Sequence, residues 1–313
     1  MPIIVFGSLN MDLVAQVPRL PQAGETILGT GFMTVPGGKG ANQAVAAARL
    51  GAPTAMVGRV GDDSLGTLLR DSLQAASVAT DEVLADLGPS GVALISVDEL
   101  GENQIVVVPG ANGKVDRTDV KRLPLNNAPS EPSILLMQFE IPLEAVIAAA
   151  EQAHSRDARV IVDPAPAQSQ LPPEFYRLVD ILTPNQTEAS QLTGLKVSSV
   201  TTAMEAAQVL RQRGTSTVIV KLGSQGAVVA SNSEVFHVPA FQVEAVDTVA
   251  AGDAFNGGLA VALWEGKSLR QAVEWASAVA ALSVMKSGAQ ASMPLREEVE
   301  TFLLSHHSGS LLA

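Results

Sequence analysis

No cysteine occurs among the 313 residues. That excludes disulfides, thiolate metal sites and cysteine nucleophiles. Basic residues are scarce: 20 Lys and Arg stand against 32 Asp and Glu, a net charge of −12. They form no cluster, which argues against a nucleic-acid surface. No uncharged apolar run reaches the ~18 residues of a membrane span. No basic segment precedes the apolar opening Ile3-Ile4-Val5-Phe6-Gly7, so it reads as a strand and not a signal peptide, and a cytoplasmic location fits. The four histidines (His154, His237, His306, His307) sit away from acids at ligand spacing, and no Ser–His–Asp arrangement is visible. No repeat, low-complexity tract or linker divides the chain. One domain over residues 1–313 is therefore expected, with 47% hydrophobic residues to fill its core. With an acidic surface, any anionic ligand must be held by local dipoles and a few cations.

Apolar, strand-like runs alternate with helix-like runs. The strand candidates are Ile3–Ser8, Ala55–Val60, Ile134–Gln138, Arg159–Asp163, Ile181–Thr183, Val218–Leu222 and Ala227–Ala230. The helix candidates are Ala41–Leu50, Ser64–Ala75, Leu143–Ser155, Thr201–Arg213, Ala251–Trp264 and Leu269–Lys286. This rhythm predicts an α/β three-layer sandwich around a mostly parallel sheet. Two regions break it. Asp12–Val17 with Thr26–Val35, and Gly91–Asp98 with Gln104–Val108, alternate as half-exposed hairpins. They predict a small antiparallel β lid inserted at about residues 12–35 and 91–108. The last residues, Ser305–Ala313, read as a frayed tail.

Several segments could carry chemistry. Asp247-Thr248-Val249-Ala250-Ala251-Gly252-Asp253 places small residues and one carboxylate at the mouth of a helix. Free N–H groups there can hold a phosphate, and the carboxylate can accept a hydroxyl proton. A plain capped helix has the same look. Gly37-Gly38-Lys39-Gly40-Ala41-Asn42 also leads into a helix, but lacks the Ser or Thr and the glycine spacing of a Walker A loop. It reads either as a sugar-holding turn or as a glycine-rich loop with a solvated lysine. Asn10 and Asp12 share one face after the first strand, and Glu140 follows another strand, where α/β sheets bind ligands. A turn former and a helix-start acid are the plainer alternatives. Asn185 and Glu188 open a helix either as a capping box or beside phosphates and a hydrated Mg²⁺. Lys221-Leu222-Gly223-Ser224-Gln225-Gly226 joins two strands, as a simple turn or as a phosphate cradle.

Taken together, these segments resemble the ribokinase-type (PfkB) carbohydrate kinases. The likeness runs from Ile4 to about Pro294 and rests on Gly37–Ala48 and Asp247–Asp253, with Gly110-Ala111-Asn112, Asp163–Ala167 and Lys286–Gln290 resembling connecting loops. The resemblance implies ATP-dependent phosphorylation of D-ribose at the 5-hydroxyl. Another furanose (deoxyribose, fructose or a nucleoside) and a non-catalytic sugar-binding regulator are the alternatives. It implies that Asn10, Asp12, Gly38, Lys39, Asn42 and Glu140 hold the sugar and that Asp253 is the base. Ala250, Ala251 and Gly252 would form the anion hole with their N–H groups. Asn185, Lys221, Leu222, Gly223, Ser224, Gly226, Gly252 and Ser277 would line the ATP site, and Glu188 would place Mg²⁺ through water. A K⁺ ion would be held by Asp247, Val249, Ser283, Lys286, Gly288 and Ser292, several through carbonyls. A homodimer through the lid is implied as well. Ser277 and Gln186 depart from residues often seen at those positions. The helix dipole is expected to keep Asp253 ionised at neutral pH.

Overall fold

β1 (Ile3–Phe6) is wholly buried, as a central parallel strand covered on both faces must be. The structure, a computed structural model, describes residues 3–125 and 133–309. From β1 the chain leaves the main body through β2 (Asn10–Gln16) and β3 (Gly31–Gly37), an antiparallel pair. α1 (Lys39–Arg49) brings it back. β4 (Thr54–Gly61), α2 (Ser64–Ala75) and β5 (Ala79–Asp86) then extend the sheet on one side of β1. β6 (Gly91–Val97) and β7 (Asn103–Val108) form a second excursion, and α3 (Arg117–Val120) follows. β8 (Ile134–Met137) returns to the other side of β1. α4 (Leu143–His154), β9 (Arg159–Val162), β10 (Ile181–Leu182), α5 (Gln186–Thr193), α6 (Val200–Gln212) and β11 (Thr217–Lys221) continue that way. β12 (Ala227–Ala230) and β13 (Val235–Val238) add an antiparallel edge. α7 (Ala251–Trp264), α8 (Leu269–Val284) and α9 (Arg296–Gly309) complete the described chain.

The main sheet runs β13-β12-β11-β10-β9-β8-β1-β4-β5, parallel from β11 to β5. Alternate side chains feed two separate cores. Ile3 and Val5 join α1, α2, α7, α8 and α9. Ile4 and Phe6 join α3, α4, α5 and α6. The expected three-layer sandwich is therefore observed. Because the chain builds outward in both directions from β1, the order reverses there, and α/β sheets open a ligand crevice at such a point, beyond the carboxyl ends of the strands.

The second sheet runs β3-β2-β6-β7. Its outer pairings are antiparallel, as expected, but β2 and β6 pair in parallel and fuse the two excursions into one plate. β3 also begins at Gly31 and not near Thr26. β5, β13, α3 and α9 lie outside the sequence expectations. β5 mixes acids with apolar residues in no regular alternation and is half-exposed, which masks its strand character. The C-terminal stretch is not a frayed tail where it is described, for α9 continues through Gly309. There the His306 ring stacks on Phe302 (4.1 Å) and meets Phe241 edge-on (5.3 Å).

Candidate active site

The site begins with a close approach. Gly38 caps α1 with φ of 88°, and a Cβ there would stand 2.6 Å from the Asn10 backbone nitrogen. Only glycine permits both the left-handed backbone and the contact. α1 is thereby seated against β2, and its first turn meets Glu140. The Glu140 Oε2 atom accepts from Ser8 Oγ (2.6 Å), the Lys39 N–H (3.0 Å) and Asn10 Nδ2 (3.3 Å). Asn112 Nδ2 donates to Asn10 Oδ1 (2.8 Å), while Asn112 Oδ1 accepts from the Leu9 N–H (2.9 Å). These bonds fix which way both amides face. Asp12 lies against Gly37. Burial, then Glu140 and Asp253, push its carboxyl up to about 7.

α7 begins at Ala251, and its N-cap Ala250 is itself left-handed, with φ of 59°. A non-glycine residue there stores about 1–2 kcal/mol. No side chain caps the helix. The Ala251 N–H reaches the Thr248 carbonyl at 3.3 Å, and among the described residues no acceptor meets the Gly252 N–H. In the first turn Asp253 is 3% exposed. Its Oδ2 accepts from Asn42 Nδ2 (2.9 Å) and its Oδ1 from Gln43 Nε2 (3.0 Å). The closeness of α1 and α7 depends on Gly257, where a Cβ would meet the Ala46 methyl at 2.5 Å.

The surroundings of Asp253 add burial and neighbouring charges to the helix dipole. Its carboxyl is raised above the ordinary carboxylate value, chiefly because burial disfavours the charge. Lys39 and the two amides pull the other way, and Asp163 adds to the rise. A raised carboxyl is the better proton acceptor. Lys39 is half-buried, and desolvation by itself would lower it. Four carboxylates, Asp253, Asp163, Glu140 and Glu188, outweigh that and hold it above its ordinary value.

Beyond Asp253 opens a cavity of about 660 Å³. Lys221 enters it from the end of β11, its Nζ 3.0 Å from Asp163 Oδ1 and 3.3 Å from the place a Gly252 Cβ would occupy. Gly223, Ser224, Gly226 and Ser277 line the walls, and Gly226 needs its φ of 90° to turn under the Val238 carbonyl. Leu222 does not line the cavity: its side chain fills the core under α6, and its N–H donates to the Gly226 carbonyl. Asn185 and Glu188 form the capping box, the plainer of the two expectations. Asn185 Oδ1 accepts from the Glu188 N–H (2.9 Å), and Glu188 accepts from both nitrogens of Asn185. Both residues still line the cavity. Burial, then Asp163, raise the Glu188 carboxyl.

The remaining loop is tied by Asp247, which accepts from the Val249 N–H (3.0 Å) and the Gly288 N–H (2.9 Å). Its own N–H donates to the Val284 carbonyl, beside Ser283. The Lys286 ammonium turns away to Glu298 (2.6 Å), and Ser292 Oγ donates to the Ala289 carbonyl. Among the described residues no group of three or more His, Cys, Asp and Glu is placed to hold a metal ion.

Sequence reasoning missed Ser8, Gln43, Asn112, Gln138 and Asp163. Asn112 and Asp163 fell in stretches read as connecting loops. Gln43 sits mid-motif but is fully buried; a glutamine among alanines and valines on a helix face bound for the core was the available signal.

A raised, buried carboxylate beside an uncapped helix N-terminus, set between a polar cradle and a lysine-bearing cavity, is the arrangement of a small-molecule kinase. Known proteins agree. The pfkB family carbohydrate kinase pattern matches residues 2–296. Ribokinase of Bacillus subtilis is 44% identical over 302 residues, covering 96% of this chain and 99% of that one. Ribokinase of Haemophilus influenzae is 42% identical, covering 96% and 97%. The structure of Arabidopsis thaliana ribokinase complexed with ribose and ATP superimposes with a TM-score of 0.86 at 35% identity, covering 96% and 98%. The chain belongs to the pfkB family of carbohydrate kinases.

Proposed function

We propose that this carbohydrate kinase transfers the terminal phosphoryl group of ATP to the 5-hydroxyl of D-ribose, giving D-ribose 5-phosphate and ADP. The position of Asp253 carries the reading, between the Asn10–Glu140 cradle and the cavity mouth. The similarity to ribokinases over nearly the whole chain supports the choice of sugar.

Asn10, Asp12, Gly38, Lys39, Asn42 and Glu140 hold the sugar. Asn42 Oδ1 is buried without a partner among the described residues, which suits it to a sugar hydroxyl. As the hydroxyl oxygen bonds to the terminal phosphorus, its proton passes to Asp253, and the bond to the bridging oxygen breaks with its electrons on ADP. The N–H groups of Ala250, Ala251 and Gly252 balance the charge on the moving group. Asn185, Lys221, Gly223, Ser224, Gly226 and Ser277 form the nucleotide end. The oxygen donor of Glu188 fits a Mg²⁺ that keeps its waters; the ion would neutralise phosphate charge. K⁺ at the Asp247–Gly288 loop, with Val249, Ser283, Lys286 and Ser292 contributing, would add charge behind the anion hole.

The four-stranded sheet is a lid over the sugar end. One face of it exposes Phe32 (66%), Leu94 and Val106, which the strand register places on the same side. An apolar face of that kind suits a second copy of the chain, hence a homodimer. We read residues 1–313 as one domain with the lid inserted, working in the cytoplasm where ATP is supplied. Among the described residues no helix is long and apolar enough to cross a membrane. Coupled ADP release over a panel of pentoses, hexoses and nucleosides, with and without K⁺, tests the assignment. Turnover with D-ribose above the other sugars is expected. Background rates with ribose alongside turnover of another sugar would overturn it.

A further inference from the structure

The mechanism leaves one buried group unused. Gln43 is fully buried on α1. Its Nε2 donates to two carboxylates, Asp253 Oδ1 at 3.0 Å and Asp163 Oδ2 at 3.2 Å. Both acceptors are themselves almost wholly buried. Ionised carboxylates only accept, so the amide must present its NH₂ to them. Its oxygen is then left facing Gln138, whose Nε2 donates to it at 2.6 Å. Gln138 is in turn pressed against Gly7, where a Cβ would collide with its Oε1 at 2.1 Å. The amide is thus clamped from one side and spans two like charges on the other. Asp163 continues the chain to Lys221.

We propose that Gln43 is a positioning residue for the phosphoryl transfer. It aims the Asp253 carboxylate, keeps it apart from Asp163 and links the base to the lysine of the nucleotide end. The inference rests on the kinase reading of Asp253. The geometry gives the amide a task that packing alone would not need. Asn42 holds Oδ2 and Gln43 holds Oδ1, so the carboxylate plane is set by one donor on each oxygen. Without the amide, Asp163 and Asp253 would lose the donor they share. Arrival of a polyphosphate at Lys221 shifts the ammonium's pull on Asp163, and Gln43 carries that change to the base.

The charged groups facing Asp253 are Lys39 from α1, Asp12 from β2, Asp163 from the end of β9, and Lys221, whose ammonium lies against Gly252. Two substitutions separate positioning from packing by the sign of a shift. Gln43→Met keeps the volume and removes both donors, so the Asp253 carboxyl rises. Asp163→Asn removes a neighbouring negative charge, so the carboxyl falls. The measurement is the pH profile of kcat with D-ribose and saturating ATP, beside the KM for ribose and wild-type enzyme. Gln43→Met is expected to lower kcat about 10–100-fold and move the acid limb up by about one pH unit. The ribose KM should stay within about threefold, since uniform binding is retained. Asp163→Asn is expected to move the limb down. Limbs that stay at the wild-type position in both variants, whatever happens to kcat, overturn the proposal. If Gln43→Met does not fold, Gln43→Leu takes its place, and a limb that holds or falls in that variant overturns the proposal. Wild-type enzyme inactive on ribose would overturn the assigned function and not the role of Gln43.

Discussion

Helices α1 and α7 both start at the site with a left-handed N-cap, Gly38 and Ala250, and neither has a capping side chain. Five other helices, α2, α3, α5, α6 and α8, carry an Asp, Asn or Ser cap. α4 also lacks a capping side chain, with Pro142 at its N-cap. The two helix starts at the site then part company. The first turn of α1 is filled from within: Glu140 takes the Lys39 N–H, Ser8 Oγ takes that of Gly40, and the Ser8 carbonyl takes that of Ala41. The first turn of α7 opens on the cavity. The lesson is that a bare helix N-terminus becomes a ligand site only where the fold declines to supply its own acceptors. In the proposed function α1 is a structural end that shapes the sugar cradle. On the same reading α7 is the end kept open for a phosphate.

The comparison can be broken most severely at α7. Asp253→Asn keeps the shape and removes the proton acceptor. We expect kcat to fall about 10³-fold while ribose binding, measured by calorimetry, is largely kept. Near-normal turnover would make α7 as structural an end as α1. At α1 the sharpest change is Gly38→Ala. The added methyl meets the Asn10 nitrogen in a left-handed turn, and we expect about 3 kcal/mol of lost stability in urea titration. A loss below about 1 kcal/mol would show that the two elements do not need to touch.

Asp12 gives a test by pH. A carboxyl raised to about 7 when folded and 3.8 when unfolded favours the folded state below pH 3.8. That contribution fades as pH rises through 7. Asp12→Asn should therefore raise the Tm of the sugar-free protein at pH 8, with the gain shrinking toward pH 5. A gain that grows with acid would reverse the assignment. The smallest effect belongs to Ala250→Gly. Relief of the left-handed strain and the added chain entropy nearly cancel, so stability should change by under about 1 kcal/mol. A larger loss would show that the alanine methyl itself holds the mouth of α7.

Much of this was legible in the chain. Near-continuous apolar strands gave the parallel sheet, and Gly37–Asn42 with Asp247–Asp253 marked both helix mouths. Two kinds of information were not. Edge elements such as β5 and β13 carry mixed polarity, because half of each faces water. Partner-dependent properties were equally hidden. The helix dipole at Asp253 is a local feature, whereas its complete burial is made by α1, more than 200 residues earlier. For the same reason Asn185 and Glu188 could be placed together, but not the cavity they line, and Gln43 could be placed on a helix without the two carboxylates it joins.

The separation along the chain has a consequence in time. The Asn42–Asp253 bond joins residues 211 positions apart, and the Lys39–Glu140 bond residues 101 apart. At a synthesis rate of about 5–20 residues per second, Asn42 waits roughly 10–40 s for its acid to be made. Glu140 arrives about midway through that interval and closes α1. For the rest of it the residues assigned to the sugar cradle have been made and the base has not. Any early encounter with sugar would then meet a receptor and not yet a catalyst.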